Sequence, residues 1–291
     1  MPELPEVEVT RRQIAPLLVG RRVARVHTSR PSYFFLTPPA RLRRGLEGRE
    51  LRSLERAGKY LLAGIDDGSR LLLHLGMTGQ LFASGVASVR LLAASRRNAL
   101  APEAQPAFRP DRHTHLRIEF ADTGPAVLFR DVRKFGKVQL LAPGERSVRL
   151  DKLGTDALAI SGAALFEATR GRSAAIKTLL LDQAIVAGTG NIYADEALFL
   201  AGVRPTRPAG RVTRAECERI AEALRRVMLR SIETGGSSIS DYVAPDGADG
   251  AYQDERHVYA RAGEPCLACG RRIRRAVLGQ RSTHWCPGCQ R

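Results

Sequence analysis

Residues 266–289 read CLACGRRIRRAVLGQRSTHWCPGC, and this stretch decides the fold of the end of the chain. Two CxxC pairs, Cys266 with Cys269 and Cys286 with Cys289, are separated by sixteen residues. This spacing lets four thiolates surround one Zn²⁺ tetrahedrally, so we predict one structural zinc ion per chain. The zinc would organise a short β-hairpin that is too small to hold a core of its own.

The chain is strongly basic, with 46 Lys and Arg against 30 Asp and Glu in 291 residues and a formal net charge of +16. Four thiolates and one Zn²⁺ change that value only to 16 − 4 + 2 = 14. From Arg256 to Arg291 there are eight arginines and one acidic residue, Glu264. Such a balance favours a polyanionic partner, either nucleic acid or an anionic membrane, although a basic protein can have neither.

The apolar runs, such as residues 71–75, are too short to span a bilayer, and the amino terminus does not read as a secretory signal. We therefore expect a cytoplasmic protein without a membrane partner. In a reducing compartment, close cysteine pairs bind metal more often than they form disulfides. The remaining cysteine, Cys217, is expected to pack in a core.

After a short first helix the sequence predicts strands, arranged as an antiparallel sandwich or barrel. The predicted strands are 60–65, 70–75, 116–120, 126–129 and 137–141, and an Asp67-Gly68 turn joins the first two. Residues 83–112, rich in Ala, Arg and Pro, predict a long mobile loop. The composition changes after Pro143-Gly144, so we place the first domain at residues 1–144.

Residues 145–255 read as a helical domain. Its clearest helix begins with a capping box, Thr213 and Glu216, and carries an apolar face that includes Ile220 and Leu224. After that helix, residues 235–238 and 244–250 predict a flexible loop without packed structure. Residues 256–291 form the predicted zinc domain.

The amino terminus reads Met-Pro-Glu-Leu-Pro-Glu. Removal of Met1 would leave Pro2 as a secondary amine, which can attack an aldehyde-like sugar carbon and form an iminium ion. A purely structural explanation is equally open, because Glu3 and Glu6 at the start of a helix complement its dipole.

Several motifs occur together in one order along the chain. They are Pro2-Glu3-Leu4-Pro5-Glu6, Gly58-Lys59-Tyr60, His74-Leu75-Gly76-Met77-Thr78-Gly79, Asp131-Val132-Arg133-Lys134-Phe135-Gly136, Gly188-Thr189-Gly190-Asn191-Ile192-Tyr193-Ala194 and the cysteine pairs. With this set the chain resembles the formamidopyrimidine-DNA glycosylase family over nearly its whole length. The departures are Val9, where we expect threonine, and the long loop at 83–112.

The resemblance implies an α+β multidomain fold: an N-terminal antiparallel β-sandwich, a helical helix-two-turn-helix domain with a lesion-recognition loop, and a C-terminal zinc-finger β-hairpin. It implies excision of 8-oxoguanine and formamidopyrimidines from double-stranded DNA, followed by β,δ-elimination at the abasic site. By match to the family's motifs, Pro2 is the Schiff-base nucleophile and Glu3 the acid for base release. Lys59 is a proton donor in elimination, and Arg281 serves δ-elimination and binds phosphate.

The resemblance also implies a set of DNA contacts, which fit an enzyme that must extrude its target base and fill the vacancy. Met77 and Phe135 would be apolar wedges, and Arg133 would bind the widowed base. Without the resemblance, core packing would be the simpler interpretation of both wedges. The remaining predicted DNA contacts are His113, Arg172, Lys177 and Asn191, the last beside a Gly188–Gly190 turn whose amides can approach phosphate.

Two other functions remain open at this point. Endonuclease VIII shares the proline chemistry but prefers oxidised pyrimidines; the complete wedge set and the opening PELP favour the purine enzyme. The other is a non-catalytic, zinc-stabilised DNA-binding protein, which would need Pro2 or Glu3 to be missing or blocked. We expect a monomer in either case.

Overall fold

A computed structural model of the chain describes residues 1–86, 108–238 and 242–291. Most of the predicted mobile loop, residues 87–107, therefore lies outside the described residues. The chain divides into two compact units: an amino-terminal unit, Met1–Ser147 with Thr234–Ala251, and a carboxyl-terminal unit, Val148–Glu233 with Tyr252–Arg291. The three domains with boundaries at 144 and 255 stay a prediction.

The amino-terminal unit begins with helix α1 (Leu4–Leu18). Glu3 is its N-cap residue and forms a reciprocal capping box with Glu6, and Pro5 lies in the first turn, where its missing N–H costs no helical hydrogen bond. The apolar face of the helix, which includes Val7 and Ile14, is fully buried against the strands. This burial fixes the start of the chain.

Two four-stranded antiparallel sheets form the body of this unit and confirm the sandwich. The strands are β1 (Val23–Thr28), β2 (Leu51–Ala57), β3 (Tyr60–Ile65), β4 (Arg70–His74), β5 (Gly79–Ala83), β6 (Thr114–Phe120), β7 (Val127–Asp131) and β8 (Lys137–Leu141). One sheet has the order β1-β6-β7-β5 and the other β2-β3-β4-β8, while helix α2 (Pro39–Leu46) packs on β1 and β8. One apolar core cluster draws on both sheets and on α1.

In the two segments predicted to be flexible, residues 236–238, 244, 245 and 250 are buried, contrary to the sequence prediction, whereas residues 246–249 are partly or fully exposed. Ser237 is 5% exposed, and Val243, 3% exposed, joins Phe82, Phe108 and Leu128 in a second apolar cluster of the amino-terminal unit. For the buried residues the prediction was wrong, because a glycine- and serine-rich composition indicates a flexible backbone and does not reveal long-range partners. Here the partners are the buried Glu6 carboxylate and the apolar cluster.

The carboxyl-terminal unit is mainly helical. It contains α3 (Val148–Asp151), α4 (Gly162–Thr169), α5 (Ile176–Leu181), α6 (Asn191–Leu200) and α7 (Arg214–Glu233), with a small parallel pairing of β9 (Thr155–Asp156) and β10 (Val186–Ala187). Helix α7 packs on α4 and α6, and Cys217 is buried in it. The predicted capping box is present, because Glu216 N–H donates to Thr213 Oγ1 at 3.3 Å and Thr213 N–H donates to Glu216 Oε2 at 2.9 Å.

The chain ends in an antiparallel hairpin of β11 (Arg274–Leu278) and β12 (Arg281–Trp285). Gly279 and Gln280 join the strands with φ values of 50° and 64°, the left-handed conformation that a tight two-residue hairpin turn needs. Among the helices of the described residues, none is long and apolar enough to cross a membrane.

We expect the stability of the amino-terminal unit to depend on Glu8 at acid pH. Burial raises the pKa of this carboxyl, but hydrogen bonds from Arg11 and Arg12 and the charges of Arg11 and Arg56 outweigh that effect and lower it from 4.5 to about 2. A lowered folded-state pKa stabilises above the unfolded value, and this contribution is lost as the pH falls from about 5 to about 2.

Glu8→Gln should therefore lower the free energy of unfolding at pH 7 by about 1–2 kcal/mol, after allowance for solvent screening, and flatten its dependence on pH below 5. Urea midpoints measured by circular dichroism between pH 7 and pH 3 test this. The exposed Glu222 provides the control substitution to Gln. Equal acid sensitivity of Glu8→Gln and the wild type would contradict it.

Candidate functional site

The amino terminus is buried from its second residue onward. Met1 is 39% exposed, Pro2 is buried and Glu3 is 3% exposed. The Glu3 backbone N–H donates to Glu6 Oε2 at 2.9 Å, and the Glu3 side chain accepts from the Glu6 backbone. Pro2 therefore precedes the N-cap of α1, where the unpaired N–H groups of the helix give a partial positive charge.

Glu6 has a second partner that the sequence did not reveal. Its Oε1 accepts the Ser237 backbone N–H at 2.9 Å, and the carboxylate is only 2% exposed. A Cβ atom on Gly236 would lie 2.9 Å from the Tyr242 ring and 3.2 Å from Glu6 Cγ, which leaves no room for a side chain. One carboxylate thus joins the start of α1 to the segment that follows residue 233.

Lys59 lies in the turn between β2 and β3, two of the strands on which α1 packs. It is 7% exposed, so most of its side chain is inside the amino-terminal unit. The structure therefore places Lys59 in the same unit as Pro2 and Glu3.

The loop that carries Arg133 and Phe135 is built around Asp131, which is 0% exposed. Asp131 Oδ2 accepts the Gly136 N–H at 2.7 Å, and Oδ1 accepts the Arg133 N–H at 3.2 Å. Thr78 Oγ1 donates to the same Oδ1 at 2.5 Å. Asp131 was visible in the sequence only as part of a motif, and nothing local showed that this acid is buried or that it holds the loop.

Gly76 brings the Met77 turn against this loop. It has φ 64°, and a Cβ there would lie 2.4 Å from the Gly136 nitrogen and 2.5 Å from the Phe135 carbonyl carbon. Only glycine permits this close approach. Met77 is half-buried and Phe135 is 43% exposed, with the Arg133 guanidinium carbon 4.7 Å from the centre of the Phe135 ring.

His113 lies at the same end of the sandwich, because its carbonyl accepts the Asp131 N–H at 2.9 Å. Burial lowers its pKa from 6.5; the charge of Asp111 opposes this, and the charges of Arg130 and Arg112 add to the lowering. A pKa below 6.5 favours the neutral form of the ring at pH 7 in the free protein.

In the carboxyl-terminal unit, Gly190 is the N-cap of α6, and the helix begins at Asn191 as the sequence indicated. Gln183 holds the preceding turn: its Oε1 accepts the Gly188 N–H at 3.0 Å and its Nε2 donates to the Thr189 carbonyl at 2.8 Å. Asn191 Nδ2 donates to the Ser282 carbonyl at 2.9 Å, so its amide contacts the hairpin beside Arg281.

Lys177 is 0% exposed, which differs from the surface position that a phosphate contact requires. Its Nζ lies 2.7 Å from Asp195 Oδ1 and donates to the Ser282 carbonyl at 2.8 Å and to Thr283 Oγ1 at 3.0 Å. An ammonium group out of water needs this set of acceptors. In this structure Lys177 therefore fastens the hairpin to α5 and α6 and is not presented to solvent.

The other two predicted cations of this unit are exposed. Arg281 begins β12 next to the anchored Ser282, and Arg172 lies in the segment before α5. The unit thus brings Lys177, Asn191 and Arg281 to one end of the hairpin, while Arg172 stands on a separate segment.

Two acids on α6 that hold the zinc region were not predicted from the sequence. Asp195 Oδ2 accepts the His284 N–H at 2.8 Å. Glu196, 0% exposed, accepts three consecutive backbone N–H groups, from residues 257, 258 and 259, at 2.8–2.9 Å. The pair DE within the NIYADE stretch was visible, but nothing local showed what it binds.

The four predicted zinc ligands come together. The sulfur atoms of Cys266, Cys269, Cys286 and Cys289 all lie within 4.8 Å of one another, with Cys266 to Cys289 at 3.9 Å and Cys269 to Cys286 at 3.3 Å. Zn–S bonds of about 2.3 Å in a tetrahedron place the sulfurs about 3.8 Å apart, so the residues fit one zinc ion. With four protein ligands its role is structural.

Comparisons with known proteins agree over the whole chain. Residues 1–138 match the formamidopyrimidine-DNA glycosylase N-terminal domain, residues 153–243 match the H2TH domain of that enzyme, and residues 263–291 match a zinc finger found in FPG and IleRS. The formamidopyrimidine-DNA glycosylase of Cupriavidus pinatubonensis is 46% identical over 306 aligned residues, covering 100% of both chains.

Solved structures are similar to the same extent. The MutM (Fpg) protein of Thermus thermophilus is 37% identical, with a TM-score of 0.82 over 99% of this chain and 98% of that one. A point variant of Lactococcus lactis Fpg, solved with DNA containing Fapy-dG, is 31% identical, with a TM-score of 0.84 over 100% of both chains.

Loss of zinc can be followed through the fluorescence of the single tryptophan. Trp285 lies in β12 and is 9% exposed, so its fluorescence monitors the hairpin. Cys266→Ser should lose the one bound zinc ion and shift Trp285 emission to the red, while the circular dichroism of the sandwich strands persists. Cys217→Ser is the matched control, since Cys217 lies in α7, away from the metal site. A full zinc content with unchanged emission in Cys266→Ser would contradict the site.

Proposed function

The chain belongs to the formamidopyrimidine-DNA glycosylase family, and on that basis we propose which of its residues perform base excision and strand cleavage. As a member it is a DNA glycosylase and abasic-site lyase of base-excision repair, and its finer substrate class is oxidised purine, 8-oxoguanine and formamidopyrimidine. The observation that carries the proposal is the buried Pro2 set immediately before Glu3, the N-cap of α1.

Pro2 is the nucleophile once Met1 has been removed. The amine lone pair forms a bond to C1′ of the damaged nucleotide, and the glycosidic bond breaks as its electrons leave with the base, which takes up a proton. The amine then loses its proton, and the nitrogen lone pair forms the iminium ion as the C1′–O4′ bond breaks and O4′ takes up a proton to become a hydroxyl group. Burial and the positive end of α1 both disfavour an ammonium group at Pro2, so they favour the neutral, reactive amine.

Glu3 supplies the proton for base release. Its carboxyl group is one residue from the nucleophile and is held by the capping box with Glu6, so it is presented in a fixed position. Once the iminium has formed, removal of a C2′ proton expels the 3′ phosphate, and a second elimination expels the 5′ phosphate. Lys59 acts as a proton donor in these eliminations, and Arg281 binds phosphate for the second.

Recognition of the duplex uses the loop organised by Asp131. Met77 and Phe135 fill the space that the extruded nucleotide leaves, and Arg133 hydrogen-bonds the widowed base. The exposure of Phe135 and Arg133 beside half-buried Met77 supports these roles. This complete set also favours oxidised purines over the pyrimidine preference of endonuclease VIII, and the presence of Pro2 with Glu3 speaks against a non-catalytic DNA-binding protein.

Contacts to the sugar-phosphate backbone of DNA are assigned to four side chains, those of Arg172, Arg281, Asn191 and His113. The protein would act as a monomer, in the cytoplasm and associated with the nucleoid. Both the DNA substrate and the reduced thiolates of a zinc site fit this location.

Lys177 and Arg172 should behave differently in DNA binding. Arg172→Ala removes an exposed cation, so it should reduce the slope of log K against log salt by about one and change stability by less than about 0.5 kcal/mol. Lys177→Ala leaves Asp195 buried without its cation and should destabilise the carboxyl-terminal unit by about 3–5 kcal/mol. Salt titrations of duplex binding and urea unfolding followed by Trp285 test the pair. A lower salt slope with unchanged stability in Lys177→Ala would show that this lysine contacts phosphate directly.

The catalytic assignment is tested with an 8-oxoguanine:cytosine duplex, an oxidised-pyrimidine duplex and an abasic duplex, each with borohydride. Glu3→Gln keeps the size but loses the acid, so excision of 8-oxoguanine should fall by about 10²- to 10⁴-fold. A preformed abasic site needs no base release, so trapping on it should persist. Glu50→Gln is the control, because it makes the same chemical change in a carboxyl group that pairs with Arg52 near the surface.

A residue fused in front of Pro2 should abolish trapping on both the 8-oxoguanine and abasic substrates. The measured mass of the active protein should be that of a chain that begins at Pro2. Equal loss of both activities in Glu3→Gln with intact DNA binding would place Glu3 in the iminium chemistry itself. Trapping by protein that retains Met1 would refute Pro2 as the nucleophile, and preferential excision of the pyrimidine would favour endonuclease VIII.

A further inference from the structure

Tyr33 has an unusual position that the proposed function does not use. It lies between β1 and α2 and is 60% exposed, although the next residue, Phe34, is 0% exposed and packs against Phe35, His115 and Phe129. Backbone hydrogen bonds hold this segment, because Val138 N–H donates to the Phe34 carbonyl at 3.0 Å and Leu36 N–H donates to the Val138 carbonyl at 2.8 Å. The Tyr33 ring is therefore held on the surface by a rigid backbone.

Tyr33 touches the loop that carries Arg133 and Phe135. Its hydroxyl donates to the Arg133 carbonyl at 3.1 Å, and Lys137 Nζ lies 4.9 Å from the centre of its ring. Lys137 Nζ also donates to the carbonyls of Phe135 at 3.3 Å and Gly136 at 3.0 Å. Tyr33, Arg133, Phe135 and Lys137, which we call the Tyr33 cluster, thus form a closed set of contacts.

The Tyr33 hydroxyl binds the carbonyl of Arg133, which Asp131 does not contact because a carboxylate accepts only from N–H and O–H groups. Asp131 accepts the backbone N–H of Arg133, and Tyr33 donates to the carbonyl of the same residue. The two polar groups of the Arg133 backbone are therefore fixed from opposite sides. The direction in which the Arg133 side chain extends from the loop depends on these two backbone hydrogen bonds.

The chemistry of the cluster suits a nucleic acid strand. Two exposed aromatic rings alternate with two cations, and proteins bind single nucleotides by stacking bases on aromatic faces while cations neutralise the phosphates. The Tyr33 hydroxyl contacts the Arg133 carbonyl, so the exposed Tyr33 ring lies beside the loop that carries Arg133 and Phe135. With Arg133 at the widowed base, we assign a base stacked on Tyr33 to the same strand.

We propose that Tyr33 is a specificity-determining residue: its hydroxyl positions Arg133 for the base opposite the lesion, and its ring stacks on a base of that same strand. This rests on the proposed function, since Arg133 must read the widowed base. The two parts of the side chain have separable effects. The hydroxyl controls discrimination between opposite bases, and the ring controls affinity for the duplex.

Two substitutions separate these parts. Tyr33→Phe removes only the hydroxyl, and Tyr33→Leu removes the hydroxyl and the aromatic face but keeps an apolar side chain. Leu36→Ala is the matched control, because Leu36 belongs to the same segment, is 38% exposed and is not a member of the Tyr33 cluster. Affinity is measured for duplexes with a non-cleavable abasic analogue opposite each of the four bases, and borohydride trapping on an abasic duplex is measured in parallel.

Tyr33→Phe should reduce the ratio of affinities for the preferred and least preferred opposite base by about two- to tenfold, the effect of one hydrogen bond, with little change in trapping. Tyr33→Leu should lose the same discrimination and, in addition, about five- to tenfold of affinity for every duplex, the lower part of the range for a lost stacking contact. Leu36→Ala should match the wild type in both.

The proposal is overturned if Tyr33→Phe keeps the full discrimination, if it weakens all four duplexes equally, or if the wild type does not discriminate between opposite bases. Equal affinities of Tyr33→Leu and Leu36→Ala would overturn the stacking role. Wild-type excision of 8-oxoguanine is measured in the same preparation. If it is present, these outcomes count against Tyr33 alone; if it is absent, the proposed function itself fails.

Discussion

The carboxylate of Asp131 lies wholly out of water, and a buried charge is tolerated only where donors surround it. The Arg133 and Gly136 backbones and the Thr78 hydroxyl supply those donors. The need to satisfy one anion therefore fixes the loop that presents Arg133 and Phe135. An apolar residue in its place would leave the Gly136 N–H without its acceptor and the Arg133 N–H with the Thr78 hydroxyl oxygen alone, and the loop would lose its defined shape.

The same constraint holds the zinc region in the carboxyl-terminal unit. Asp195 and Glu196 are adjacent on α6 and point in directions about 100° apart, as successive helical residues do. One binds the His284 N–H and the Lys177 ammonium, and the other binds the backbone of residues 257–259. The zinc ion shapes the hairpin internally, and these two acids attach the hairpin and the segment before it to the helices. Arg281 therefore lies on a hairpin whose internal shape is fixed by zinc and whose position on the helices is fixed by the two acids.

Local patterns predicted much of this structure. Cysteine spacing gave the zinc ligands, alternation with the Asp67-Gly68 turn gave strands β3 and β4, and the Thr213–Glu216 pair gave the start of α7. Each depends on residues close in the chain or on one ion's geometry. The buried residues of the segment after residue 233 and the role of Glu6 depend on partners distant in sequence. The role of Asp131 depends on its burial and on Thr78, 53 residues away, so no local pattern could reveal it.

Lys177 shows where an assignment by resemblance also reaches its limit. The resemblance identified the position of Lys177, but a phosphate contact needs a donor that faces solvent. Lys177 is buried because it binds Asp195 and the Ser282 carbonyl, which lies on a hairpin more than a hundred residues away. Lysine at that position is compatible with either environment. Only the three-dimensional packing distinguishes a cation that binds DNA from one that holds the fold together.

The net charge of +16 likewise does not show which cations contact DNA. Glu8 is paired with Arg11, Arg12 and Arg56, and Arg130 is 1% exposed and 2.9 Å from Asp111. These ion pairs stabilise the amino-terminal unit, and Arg130 is too deeply buried to contact a phosphate. Phosphate contacts hold a duplex without reading its sequence, so the remaining exposed cations set general affinity. Discrimination between bases must then come from the few side chains whose direction is fixed, and in this chain Arg133 is fixed through its own backbone, by Asp131 on one side and Tyr33 on the other.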